Sequence, residues 1–383
     1  MKQNKALYLS AALIISIFIL AFLSSCNDDR KCENIIIHED FTPIGLPQTA
    51  HMLCFESDSI GYAATPLLTE VNGEYYREAS VISKTVDRGR TWDIFGRTNG
   101  NCISITEYGD MVFFVTNNIF QRNFEYGNEH SEIWFTKKDA FSPQKIAAED
   151  DEIFGFHAFN DSTFCYLCCN HGEIGNFYLT KNYGMSWETF DLPGSIVGIN
   201  CAYIGNKIAV PLHDKNDKYI LYIKDIIDET TQFFKTGYVT VAQAADSLLA
   251  CSTGMVFYKY DGQSINYLSR FNWSGYFGRY FPKLLIQSSG IYICAGAEFF
   301  SSKKKRDCIF YSSDNGSTWH ILSMGEGVKF NDPISEENNM ASIPEKDGAA
   351  VIYQCIGDDR LHIIKVQKSD NAGDKKRVYP NST

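Results

Sequence analysis

Three octapeptides in this chain share the form Ser/Thr-x-Asp/Asn-x-Gly-x-Ser/Thr-Trp, and each follows a β-rich run. They extend from Thr85 to Trp92, from Thr180 to Trp187 and from Ser312 to Trp319. At the third position, Asp87, Asn182 and Asp314 can fold a side-chain oxygen back onto backbone N–H groups of the turn. At the fifth, Gly89, Gly184 and Gly316 supply a backbone conformation with φ > 0. Trp92, Trp187 and Trp319 then open the returning strand and cover the hairpin with a large apolar ring. Three copies of one hairpin turn constrain the chain to a fold built from repeated β-hairpins.

A second series of turns is more complete. Asp58-Ser59, Gly109-Asp110, Asp161-Ser162, Gly205-Asn206, Asp246-Ser247, Ser289-Gly290 and Asp347-Gly348 are hairpin dipeptides, each followed by a short apolar run such as Met111 to Val115. Their spacing, 41 to 58 residues, is that of a four-stranded propeller blade. In this frame the octapeptides are third-to-fourth-strand hairpins of blades one, three and six. Asp139 and Asp225 mark decayed versions in blades two and four, and Asp261-Gly262 serves blade five. Blade seven lacks one strand, and the orphan run Asn34 to His38 is the right length to supply it. The expectation is an all-β, seven-bladed β-propeller over residues 34–368, closed by an N-terminal strand, with six blades as the second choice. Abundant Phe and Tyr suit stacked sheets, and no stretch has a sustained helical period.

The octapeptides resemble the Asp boxes of sialidase-type propellers, also called bacterial neuraminidase repeats. The run from Phe55 to Ala63 is also similar to blades of the photosystem II stability factor family. The sialidase resemblance covers the repeats only. That family carries an Arg-Ile-Pro motif and a three-arginine clamp for a substrate carboxylate. Here the nearest string is Ser342-Ile343-Pro344, without the Arg, so no catalytic residue carries over and sialidase activity is not expected. No serine-nucleophile elbow or phosphate-cradling glycine loop is present, and no cofactor is implied. A glycoside hydrolase or polysaccharide lyase of the same propeller type is the alternative to a non-catalytic binding module. It would need paired carboxylates or a Tyr/His pair at the axial mouth.

The N-terminus speaks about location. Lys2 and Lys5 precede an apolar run from Ala6 to Phe22, and Leu23-Ser24-Ser25-Cys26 follows. This order reads as a secretory signal over residues 1–25. Its end resembles a lipobox, which implies acylation of Cys26 and a lipidated tether over 26–33. Asn27-Asp28-Asp29 resembles the signal for display on the outer face of an outer membrane. Residues 369–383 are too polar to order themselves and read as a disordered tail. The formal charge of −11 deepens by two once Lys2 and Lys5 are removed, which argues against nucleic-acid partners. Lys303 to Arg306, the basic cluster, reads as a solvated hairpin loop.

Of twelve cysteines, eleven remain beside Cys26. Cys54, Cys201, Cys251 and Cys294 recur at repeat-equivalent places, as small buried packing residues do. Cys165-x-x-Cys168-Cys169-x-His171 superficially suggests zinc. Strand alternation sends Cys168 to the face opposite Cys165 and Cys169, so no metal site is assigned. Aromatic residues in two loops, Phe120 to Tyr126 and Phe271 to Tyr280, are candidates for stacking on sugar rings. Trp273, Tyr276 and Tyr280 are the chosen ligand-binding residues; packing between blades competes for the same rings. The expected partners are the membrane, through the anchor, and carbohydrate or an outer-membrane protein. Finally, Asp58-Ser59-Ile60, Asp161-Ser162-Thr163 and Asp246-Ser247-Leu248 resemble O-glycosylation acceptors, though the same residues make good turns.

Overall fold

Turn dipeptides separated by apolar runs dictate antiparallel hairpins, and the computed structural model consists of them. It describes residues 35–47, 50–71, 74–118, 130–169, 174–196, 201–216, 218–235, 239–244, 247–252, 256–270, 283–286, 292–301, 304–322, 340–344, 349–356 and 360–367. Every regular element among them is a strand. After β1 (Ile35–Phe41), the chain forms the sheet β2 (Met52–Phe55), β3 (Gly61–Val71), β4 (Glu74–Thr85) and β5 (Asp93–Thr98), hydrogen-bonded in that order. The next sheet is β6 (Asn101–Tyr108), β7 (Met111–Asn118), β8 (His130–Lys137) and β9 (Ala140–Glu149).

An eight-stranded sheet follows. It holds β10 (Glu152–Ala158), β11 (Phe164–Cys169), β12 (Ile174–Thr180) and β13 (Glu188–Ile196), then β14 (Ala202–Ile204), β15 (Lys207–Asp214), β16 (Tyr219–Asp225) and β17 (Thr231–Lys235). The two halves join where Gly194 pairs with Asp214 and Ser195 with His213. A Cβ at Gly194 would lie 2.3 Å from the His213 carbonyl oxygen, so the junction needs a residue without one.

Two four-stranded sheets come next. The first is β18 (Val239–Ala244), β19 (Ser247–Ser252), β20 (Val256–Tyr260) and β21 (Ile265–Arg270); the second is β22 (Lys283–Ile286), β23 (Tyr292–Ser301), β24 (Lys304–Ser312) and β25 (His320–Leu322). The last sheet runs β26 (Met340–Pro344), β27 (Ala349–Ile356), β28 (Arg360–Gln367) and then β1. The first strands of neighbouring sheets meet, β2 with β6, β6 with β10, β18 with β22 and β22 with β26, and β26 returns to β2. Sheet-on-sheet packing of this kind produces continuous apolar runs instead of alternation. In β7, Phe113 and Val115 enter one core while Val112 and Phe114 enter the core on the opposite face. Lys304 to Arg306 lie within β24, paired to Ser301, Phe299 and Glu298. The expected solvated loop there is therefore corrected to strand, because the β23–β24 ladder continues to Ser301.

The N- and C-terminal parts of the described chain meet at the first octapeptide. Arg90 bonds Glu39 of β1 at 2.9 Å, and the Trp92 N–H donates to the Ile44 carbonyl at 2.8 Å. Leu361, at the start of β28, packs with Trp92, Phe55 and Leu53. The end of β1 and the start of β28 thus reach the same turn, so these neighbouring strands run antiparallel. Gly89 sits at φ +80°, and a Cβ there would fall 2.4 Å from Leu361 Cδ2. Its place therefore demands both the left-handed conformation and the absence of a side chain.

Polar groups seal two sheet-to-sheet junctions in the same manner. Ser80 Oγ accepts from the Cys102 N–H at 2.9 Å, and Ser131 Oγ accepts from the Ile153 N–H at 3.1 Å. In each case a buried hydroxyl on a third strand satisfies a backbone donor on the first strand of the next sheet.

Candidate binding faces

Antiparallel order divides the connections between two faces, and hydrogen bonds confirm which belong together. The turn after a sheet's third strand donates to the turn after its first. Arg88 N–H bonds the Ser59 carbonyl at 3.1 Å, Lys138 that of Asp110 at 2.9 Å, Tyr183 that of Ser162 at 3.0 Å and Ile226 that of Asn206 at 2.9 Å. These turns make one face, called here the turn face. Connections after second and fourth strands start from the other ends of the strands and belong to the connection face.

The three octapeptides are built alike on the turn face. In the first, Thr85 Oγ1 accepts from the Gly89 N–H at 3.0 Å. Asp87 Oδ1 accepts from the Thr91 N–H at 2.8 Å, and Oδ2 from the Thr91 hydroxyl at 2.6 Å. In the second, Asn182 Oδ1 accepts from the Ser186 N–H at 3.0 Å. In the third, Asp314 Oδ1 accepts from the Thr318 N–H at 2.8 Å. Arg88, Tyr183 and Asn315 adopt φ near +60° and the following glycines φ near +80°. The Trp92 and Trp319 indoles donate to the Gly89 and Gly316 carbonyls at 2.7 and 3.1 Å. Each turn also grips the preceding sheet: Gly89 meets Leu361, Gly184 meets Ile146, and Ser269 Oγ donates to the Gly316 carbonyl. Trp319 stacks on Phe257 at 3.9 Å. No local sequence pattern points to these partners, because they lie in other repeats. Asp139, expected as a decayed copy, gives way to Thr136, whose Oγ1 accepts from the Ser142 N–H at 2.8 Å. Asp225 does cap its turn, accepting from Ile227 and Asp228 at 3.0 and 3.1 Å.

Partial desolvation pushes the Asp87 and Asp314 carboxyls up, but hydroxyl and amide donors from Thr91 and Thr318 outweigh it and hold both below the usual range. A depressed folded-state pKa contributes stability above the unfolded value, and that contribution is lost as pH falls through the folded one. Asn182 cannot titrate. Acidification toward pH 2 is therefore expected to raise hydrogen exchange at the Thr91 and Thr318 amides before the Ser186 amide. Simultaneous loss of protection at all three, measured by NMR, would show that the carboxylates are not the cause.

Trp273, Tyr276 and Tyr280 lie outside the described residues, as do Phe120 to Tyr126, Cys26 and His171. The strand ends that flank the two aromatic segments, Asn118 with His130 and Arg270 with Lys283, belong to the connection face. Nearby on that face, Lys145 bonds the almost buried Glu132 at 3.0 Å, and His130 lies 3.4 Å from Glu132 and 3.5 Å from Asp150. Tyr166 donates to Glu149, stacks on Tyr178 at 4.7 Å and meets the edge of Trp187 at 4.8 Å. Burial, then the Glu149 carboxylate, drive its phenol well above the ordinary range, so it stays protonated and donates to Glu149.

One buried cluster escaped the sequence reading. His157 stacks on Tyr203 at 4.0 Å with the rings 6° from parallel, and Tyr203 donates to the Gly155 carbonyl at 3.1 Å. Burial lowers the His157 pKa to about 4 and pushes the Tyr203 phenol and Cys165 thiol up. Cys165 packs into one sheet-to-sheet core and Cys168 into the opposite one. Among the described residues, no group of three or more His, Cys, Asp or Glu side chains could hold a metal ion. Cys54, Cys102, Cys165, Cys168 and Cys201 take part in no disulfide among the described residues.

No protein-family model and no curated protein matches the chain. Solved structures do. The β-propeller domain of the trilobed protease from Pyrococcus furiosus, described as having an open velcro topology, is 12% identical with a TM-score of 0.53; the match covers 84% of this chain and 97% of that one. The WD40 domain of Toxoplasma gondii coronin is 10% identical with a TM-score of 0.55, covering 88% of each chain. The fold is a β-propeller.

Proposed function

We propose that this chain is an outer-membrane lipoprotein, anchored through an acylated Cys26 and displayed outward, whose propeller binds glycan or a protein partner without catalysis. The observation that carries the binding reading is the shared placement of its two aromatic-rich connections. Strand ends flanking residues 119–129 and 271–282 belong to the connection face, where Trp273, Tyr276 and Tyr280 would form a stacking platform for sugar rings. The propeller is read as seven-bladed and of Asp-box type. What supports this count is the division of the eight-stranded sheet at Gly194 into two four-stranded blades, together with β1 completing the last sheet.

A glycan-array screen of the full chain, run beside glycosidase and lyase assays, separates binding from catalysis. Trp273→Ala is expected to weaken binding about tenfold or more, equal to about 1.4 kcal/mol, with an unchanged melting temperature. Full affinity in that variant removes the aromatic platform, and turnover of any glycan replaces the binding module with an enzyme.

A further inference from the structure

Two cysteines from different repeats converge on one phenol. Cys165 lies on β11 and Cys201 directly precedes β14, and both pack into the core between the two halves of the eight-stranded sheet. The β10–β11 register slips between Phe154 and Phe156, leaving Gly155 at φ +54° with its carbonyl bonded by the Tyr203 hydroxyl. A Cβ at Gly155 would lie 3.3 Å from Cys201 Sγ and 3.2 Å from Tyr203 Oη, so this bulge makes room for both. Cys165 and Cys201 each hydrogen-bond the same Tyr203 hydroxyl. Its proton is committed to the Gly155 carbonyl, so the thiols act as donors and Tyr203 Oη as their shared acceptor. Two sulfurs around one oxygen are neighbours across the junction.

Their surroundings are unequal. Cys165 is fully buried, whereas Cys201 is partly exposed. Access and thiolate character govern which thiol attacks a disulfide first. Cys201 is the sulfur that an oxidant can reach, and burial keeps Cys165 protonated behind it. Cys168, on the other face of β11, packs into the opposite core and points away from the pair.

We propose that Cys201 and Cys165 are a thiol–disulfide exchange pair, closed by a disulfide-bearing oxidant into a covalent link between the two halves of the eight-stranded sheet. The Cys201 thiolate attacks one sulfur of the oxidant and expels the other as a thiolate. Cys165 then gives its proton to solvent, and its sulfur attacks Cys201 Sγ and expels the second thiolate. Two protein S–H bonds become one S–S bond, and the two electrons reduce the oxidant to two thiols. The link ties β11 to the residue before β14, where Gly194 otherwise makes the junction.

The full chain, purified under reducing conditions and then incubated with glutathione disulfide, tests the proposal. Peptide mass spectrometry after alkylation is expected to find Cys201 first carrying glutathione, then joined to Cys165 with the glutathione lost. Cys102, buried in a different core, should stay unmodified and so mark the folded state. In Cys165→Ser, glutathione is expected to remain on Cys201 at least about tenfold longer than in the wild type, because nothing displaces it. Cys168→Ser should close like the wild type. Should Cys102 react in Cys165→Ser, Cys165→Ala replaces that variant. Glutathione that stays on Cys201 equally long in the wild type and in the folded variant overturns the pair. So does a Cys201 that takes up no glutathione, or one that links to a cysteine other than Cys165.

Discussion

Trp92→Ala is expected to lower the unfolding free energy by about 3–5 kcal/mol, the usual range for deleting a buried indole. Trp92 is 3% exposed and meets Phe55 edge-on at 6.1 Å. It also lies against Leu361 and Ile363, so it joins the first sheet to the last. Its indole donates to the Gly89 carbonyl at 2.7 Å, and truncation leaves that buried acceptor unmatched. Trp187 holds the same place in the second octapeptide but is only partly buried, so Trp187→Ala should cost clearly less. Denaturant unfolding of both variants measures the difference. Equal costs would mean that the contact between the first and last sheets adds nothing beyond an ordinary hairpin.

The second large effect depends on pH. His157 has a folded-state pKa of about 4, because burial against Tyr203 disfavours the imidazolium. In the unfolded chain it titrates near 6.5. Between those values the unfolded state holds a proton that the folded state lacks, so stability falls as pH drops from about 6.5 and levels off below about 4. The span corresponds to about 3 kcal/mol. His157→Phe keeps a ring against Tyr203 and removes the titration. Unfolding free energies at pH 7 and pH 4 should therefore differ by about 3 kcal/mol more in the wild type than in this variant. The same drop in both proteins would assign the pH dependence to other groups.

Much of the strand plan was legible because turn chemistry is local. Gly109-Asp110 and Gly205-Asn206 need nothing beyond their own backbone to reverse the chain, and they sit at the β6–β7 and β14–β15 hairpins. The octapeptides were readable for the same reason, since Thr85, Asp87 and Thr91 bond one another within seven residues. The decayed copies misled in part. Thr136 caps the hairpin in place of Asp139, accepting from the Ser142 N–H, and the amide four residues after Asp139 is missing because residue 143 is Pro. Trp273, Tyr276 and Tyr280 rest on the aromatic composition of their segment alone and fall outside the described residues.

The sequence by itself determined where the chain turns, that its repeats are all-β, and which residues cap most of its hairpins, since each of these rests on groups a few residues apart. Only the tertiary structure decided which repeat each turn grips, that β1 lies beside β28, and that His157 is packed on Tyr203. Those outcomes depend on which surfaces meet when sheets stack. Residues 46 apart, such as His157 and Tyr203, or 272 apart, such as Gly89 and Leu361, carry no mark of one another until burial brings them together.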